Sequence, residues 1–78
     1  MPERSEEMEH LALADSHILQ AEKTVADLVA MVGVHNGRGA DSTQAQESLA
    51  IARETLTQFR LHRDLIVRTI QDIDAGRL

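Results

Sequence analysis

Apolar residues recur along this chain at alternating intervals of three and four, in two blocks separated by a glycine-rich break. The first block reads Leu11, Ala14, Ile18, Ala21, Val25, Leu28 and Val32. The second reads Ala45, Leu49, Ala52, Leu56, Phe59, Arg63, Ile66, Ile70 and Ile73. This is the period of one helix packed lengthwise on another. It predicts an all-α chain: an antiparallel two-helix hairpin with helices over about 6–32 and 42–75. Residues 1–78 then form a single domain, with 33–41 as a flexible inter-helix loop.

Local signals set the expected ends. Ser5 is placed to cap the first helix, with Glu6 and Glu7 against the positive end of its dipole. Pro2 offers an alternative, earlier start as a first-turn proline. Gly33 is the expected stop, in the left-handed cap conformation. Asn36-Gly37 and Gly39 are turn formers. Asp41 and Gln44 have the spacing of a capping box opening the second helix.

A short connection makes the helices antiparallel neighbours. Facing seam residues then have numbers that sum to 77: Val32 with Ala45, Leu28 with Leu49, Val25 with Ala52, Ala21 with Leu56, Ile18 with Phe59. Large residues meet small ones at several levels, as interdigitating layers require. Arg63 falls in the seam opposite Ala14. Its stem packs there with its head reaching Asp15 or Glu7, or it is a buried polar device that fixes register or partner. Ile70 and Ile73 face Glu7 and Arg4, with only Met8 to help cover them. Val29, Met31, Val34, Ile51 and Leu65 lie at the loop end or off the seam. Apolar residues beyond what the hairpin can cover predict a second chain, a homodimer forming a four-helix bundle or coiled coil.

Bulk properties point the same way. A chain of 78 residues buries little surface alone, and Phe59 is its only aromatic. Phe59→Ala is expected to cost about 3 kcal/mol or more if the ring sits in a packed core, and under about 1 kcal/mol at the surface. The net charge of −5 opposes a role led by phosphate contacts, so nucleic acid is not an expected partner. The eight Lys and Arg residues form no polybasic cluster for a membrane. Cysteine is absent, which excludes disulfide and thiolate chemistry. The acidic stretch Met1–Glu7 has no apolar signal-type run behind it, and no span of membrane length occurs. A cytoplasmic location is the expectation.

Four histidines are the residues that invite a chemical reading. His10 and His17 lie two turns apart on one face, and the register brings His62 near His17 and Asp15. Glu7 and His10 form one Glu-x-x-His pair, the unit that ligates di-iron centres in four-helix bundles. A symmetric dimer would supply a second copy, but Glu47 and Glu54 lie far from that level. The plainer reading has these histidines flanking the seam, half exposed, with no metal. A third reading is a phosphorelay module. Ser16-His17-Ile18-Leu19 resembles the start of a histidine-kinase dimerisation motif, without the acidic residue and proline that follow it there. Asn36-Gly37-Arg38-Gly39 lacks the strand and Gly-Lys-Ser/Thr of a phosphate loop and reads as a turn; its Asn-Gly step is a candidate for deamidation. No triad spacing stands out.

The pattern His10-Leu11-x-x-Ala14-x-x-His17-Ile18-x-x-Ala21-Glu22-x-x-Val25-x-x-Leu28, with His62-Arg63 on the second helix, resembles small uncharacterised helical-hairpin proteins of proteobacteria. That resemblance implies a hairpin and carries over no activity. The expectation is a non-enzymatic protein without cofactor that acts through homodimerisation and protein–protein contact. Leu11, Ile18, Val25, Leu28, Leu49, Leu56, Phe59, Ile66 and Ile70 are its core and interface residues. Metal binding by His10, His17 and Glu7 and the phosphorelay module are the alternatives.

Overall fold

The computed structural model of the chain describes residues 3–39 and 41–78. Two helices, α1 (Arg4–Gly37) and α2 (Thr43–Asp74), fold back on each other into a rod of 58 × 15 × 14 Å. Among the described residues there is no strand, and no helix is long and apolar enough to cross a membrane.

The heptad positions form the seam. Ala14, Ala21, Ala45, Leu56, Ile66 and Ile70 are buried, and every other seam residue of the two blocks is half-buried. Small residues on α1 meet larger ones on α2, which brings the backbones close and leaves a thin core. Among the described residues no large side chain is fully enclosed. Cross-helix partners follow the expected register. Arg4 with Asp74, Asp15 with Arg63 and Asn36 with Ser42 have numbers that sum to 78, and His17 with Phe59 sum to 76.

The two isoleucines expected to outrun their partner do not stand alone. Ile70 is buried in a cluster with Ala14 and Ile66, against which Leu11 packs, and Ile73 is half-buried. Ile70 therefore needs no second chain. The reason is that α1 begins at Arg4, leaving a full turn of helix at that end. Its N-cap is the extended Glu3 rather than Ser5, without a side-chain cap bond. Glu6 and Glu7 still occupy the first turn, where they offset the dipole. The alternative start at Pro2 lies outside the described residues.

At the other end α1 runs through Gly33 and stops at Gly37, so the connection is shorter than the expected 33–41. The heptad explains why. After Leu28 and Val32 the next seam position is His35, and it is half-buried. A glycine in a helix interior costs about 1 kcal/mol, less than abandoning that turn. The left-handed residue is Gly39, with φ +70°, just after Arg38 donates back to the carbonyls of Val34 and His35.

The expected capping box is rearranged. Asp41 Oδ1 accepts from the Thr43 backbone N–H at 2.9 Å and from its hydroxyl at 2.6 Å, with no return bond from Gln44. Ser42 takes the central role instead. It is 6% exposed, its hydroxyl donates to Asn36 Oδ1 at 2.8 Å, and it accepts from Gln46 Nε2 at 2.6 Å. This clamp joins the last turn of α1 to the first turn of α2.

Two outcomes check this account. A Cβ at Gly33 would meet nothing within 4 Å, so Gly33→Ala is expected to raise stability by about 0.5–1 kcal/mol in denaturant titration. A helix that ended at Gly33 would give a loss instead. The Thr43 bonds hold the Asp41 carboxyl below its ordinary value of 3.8. A depressed folded value means stability that is present above the unfolded value and lost as pH falls through the folded one. Asp41→Ala should therefore lower the melting temperature at neutral pH, and that deficit should close as the pH is taken below 3.8.

Candidate functional site

The two flanks of the seam differ in chemistry. One carries an open groove of about 520 Å³, whose walls include His17, Thr24, Leu28, Ile51, Thr55 and Phe59. Next to it toward the open end lies a cavity of about 90 Å³ lined by His10, Leu13, Ala14, His17 and His62. Helical spacing extends this flank from His10 to Val34 on α1 and from Ser48 to Asp72 on α2. Among the described residues its formal charges are Asp27 and Asp72 alone, with no lysine or arginine. The opposite flank carries Asp15, Glu22, Arg53, Arg60 and Asp64. In a chain that is 27% charged, the groove side has been kept close to neutral.

The groove exists because its floor is made of small side chains. Ala21 and Ala52 lie there, with Thr24, Ser48 and Thr55 beside them. Short side chains at adjacent levels leave a trough between the helices, and Phe59 closes one end. Its ring centroid is 5.5 Å from that of His17, inclined by 31°. Ile51 stands on the rim at 66% exposure.

The histidines expected to share a face do so. His10, His17 and His62 border the same small cavity. Among the described residues no group of three His, Asp or Glu side chains converges closely enough to hold a metal ion. Glu7 turns toward His10, with Oε1 3.6 Å from Nδ1. That distance makes a weak ionic contact and is too long for a hydrogen bond. His62 lies beside His17 as the register required, whereas Asp15 is on the other flank, held by Arg63.

Arg63 follows the plainer of its two readings. Its Nε donates to Asp15 Oδ1, and the two side chains are 38% and 49% exposed. At that exposure the pair contributes about 0.2–1 kcal/mol, so it is a half-solvated cover over the seam. Arg4 with Asp74 does the same at the open end, at 2.8 Å.

Of the nine expected core and interface residues, Leu56, Ile66 and Ile70 are buried. Leu11, Ile18, Val25, Leu28, Leu49 and Phe59 are half-buried along the same seam. All nine meet within one chain. The large apolar residues left exposed are others, including Leu13, Leu19, Met31, Ile51 and Leu65. Sequence reasoning missed His35, whose Nδ1 is buried without a hydrogen-bond partner, and the Asn36–Ser42–Gln46 clamp. The signal for His35 was the unbroken heptad. The clamp had no signal beyond the polar residue types.

Comparison with protein-family models, with characterised proteins and with solved structures gives no match for this chain. The reading of the site therefore rests on its own geometry. Phe59 is half-buried with one face on the groove, so Phe59→Ala should cost about 1–3 kcal/mol in chemical denaturation, between the limits for core and surface rings.

Proposed function

We propose that this chain is a non-enzymatic, self-associating helical hairpin that acts through protein–protein contact. The observation that carries the reading is its surplus surface. The chain exposes 5664 Å², whereas a compact monomer of 8.6 kDa exposes about 4,700 Å². The difference, about 1,000 Å², is close to the roughly 800 Å² that each partner contributes to a standard interface. Exposed Leu13, Met31, Ile51 and Leu65 supply apolar material for such an interface. Two hairpins packed side by side make a four-helix bundle, the ordinary way for thin helical cores to thicken.

One observation favours the metal-binding alternative: three histidines line one cavity. It needs ligands from a second chain to complete a coordination sphere, so it too depends on association.

Both readings meet in one experiment, light scattering over a dilution series with and without a chelator. Self-association predicts a mass near 17 kDa, twice that of the chain, falling toward 8.6 kDa on dilution and indifferent to chelator. A constant 8.6 kDa overturns the proposal. An assembly that dissociates with chelator transfers the role to His10 and His17, and its zinc-dependent gain in melting temperature should then vanish in His10→Ala.

A further inference from the structure

We propose that the second copy docks groove to groove and head to tail, on a two-fold axis normal to the groove that sets Leu13 of one chain against Ile51 of the other. This rests on the self-association reading above and adds the face and the direction.

Charge selects the face. Closing the flank with Asp15, Glu22, Arg53, Arg60 and Asp64 would strip water from five charged groups per chain, at a cost that mutual attraction often fails to recover. The groove flank presents two carboxylates, and between them neutral hydroxyls, amides, imidazoles and exposed aliphatic side chains. A closed dimer uses the same patch on both chains, so the patch must complement itself when rotated.

The register then selects the direction. With facing numbers summing to 77, Ile51 lies level with residue 26 of α1. The level midway between Leu13 and residue 26 is 19.5. The midpoint of Arg4–Gly37 is 20.5, one residue away. A two-fold axis normal to the groove at that level makes the two rods overlap along their whole length. It also places α1 of each chain over α2 of the other, reversed. Leu13 then meets the partner's Ile51, at both ends of the interface. In this arrangement each histidine of the flank meets a hydroxyl. His10 comes opposite the partner's Ser48, His17 opposite the partner's Thr55, and His62 opposite the partner's Thr24. An imidazole and a hydroxyl each donate and accept, so these levels suit a neutral interface.

A parallel arrangement has its axis along the rod and preserves level. It sets His17 against the partner's His62 and gathers all six flank histidines at one end, with no hydroxyl to meet them. Leu13 would find the partner's Leu65, and Ile51 would land on Asp27. In the head-to-tail form Leu65 meets Asp27 instead, so that mismatch does not distinguish the two. The pairing of histidines with hydroxyls does.

The test is a charge swap read by light scattering and sedimentation, with circular dichroism confirming helix content. Leu13→Lys and Ile51→Glu should each raise the dimer dissociation constant about tenfold or more, since each buries a charge against an aliphatic side chain. The double variant should recover most of that loss. Within one chain the two sites are about 20 Å apart, 13 residues of helix, so recovery comes only from pairing between chains. Leu19→Lys, on the charged flank, should leave the dissociation constant unchanged. A dimer indifferent to Leu13→Lys and Ile51→Glu but broken by Leu19→Lys overturns the face and leaves self-association standing. Single variants that dissociate without rescue in the double overturn the head-to-tail direction. A wild-type monomer at all concentrations overturns self-association itself.

Discussion

Everything in this molecule hangs on one line of contact, the seam where two apolar stripes of period 3.5 meet. A helix of more than thirty residues in water has too little of its own to hold it; tertiary packing of one stripe must supply the rest. Here each helix is the only packing surface the other has within the chain. The ends, the cap at Asp41 and the salt bridges at Asp15 and Asp74 matter because they keep the stripes in register. The small residues Ala14, Ala21, Ala45 and Ala52 bring the helices close, but they also limit the apolar area each layer can bury. The seam is therefore sufficient to define a shape and thin for a protein of this length.

The seam was legible because its signal is redundant. Sixteen positions in two blocks agree on one period, and a wrong choice at any one of them would have been outvoted. The register was legible for a related reason: with a short connection, fixing one facing pair fixes all of them. The helix ends were less legible, because a single residue type carries each signal. Gly33 has the chemistry of a stop, yet the seam continued to His35 and the helix went with it. Ser42 and Asn36 form the clamp at the turn, and nothing in the spacing marked them as partners, since their contact is made by the fold of the connection. The groove was invisible for a different reason. It is a consequence of what is missing, bulk at Ala21, Thr24, Ala52 and Thr55, and only the close approach of two backbones turns small side chains into a space.

The histidines show where residue identity stops being informative. His10, His17 and His62 do gather on one flank, as their spacing required. Proximity alone gives neither coordination nor catalysis. Among the described residues they form no three-ligand site, and their setting is a neutral surface. Imidazole is equally at home as a ligand, a base or a polar side chain that can be dehydrated at modest cost. In the self-associating reading the third property matters most.

The antiparallel register also sets an order of assembly. Facing residues near the connection are close in sequence: Val32 and Ala45 are 13 apart, whereas Glu7 and Ile70 are 63 apart. The entropy of closing a loop rises with its length, so the seam zips from the Asn36–Ser42 clamp outward. Melting runs the other way. The end held by Arg4 and Asp74 frays first, while the residues around the connection stay joined longest. The rod thus has a nucleating end and a breathing end, and the histidine cavity lies toward the breathing one.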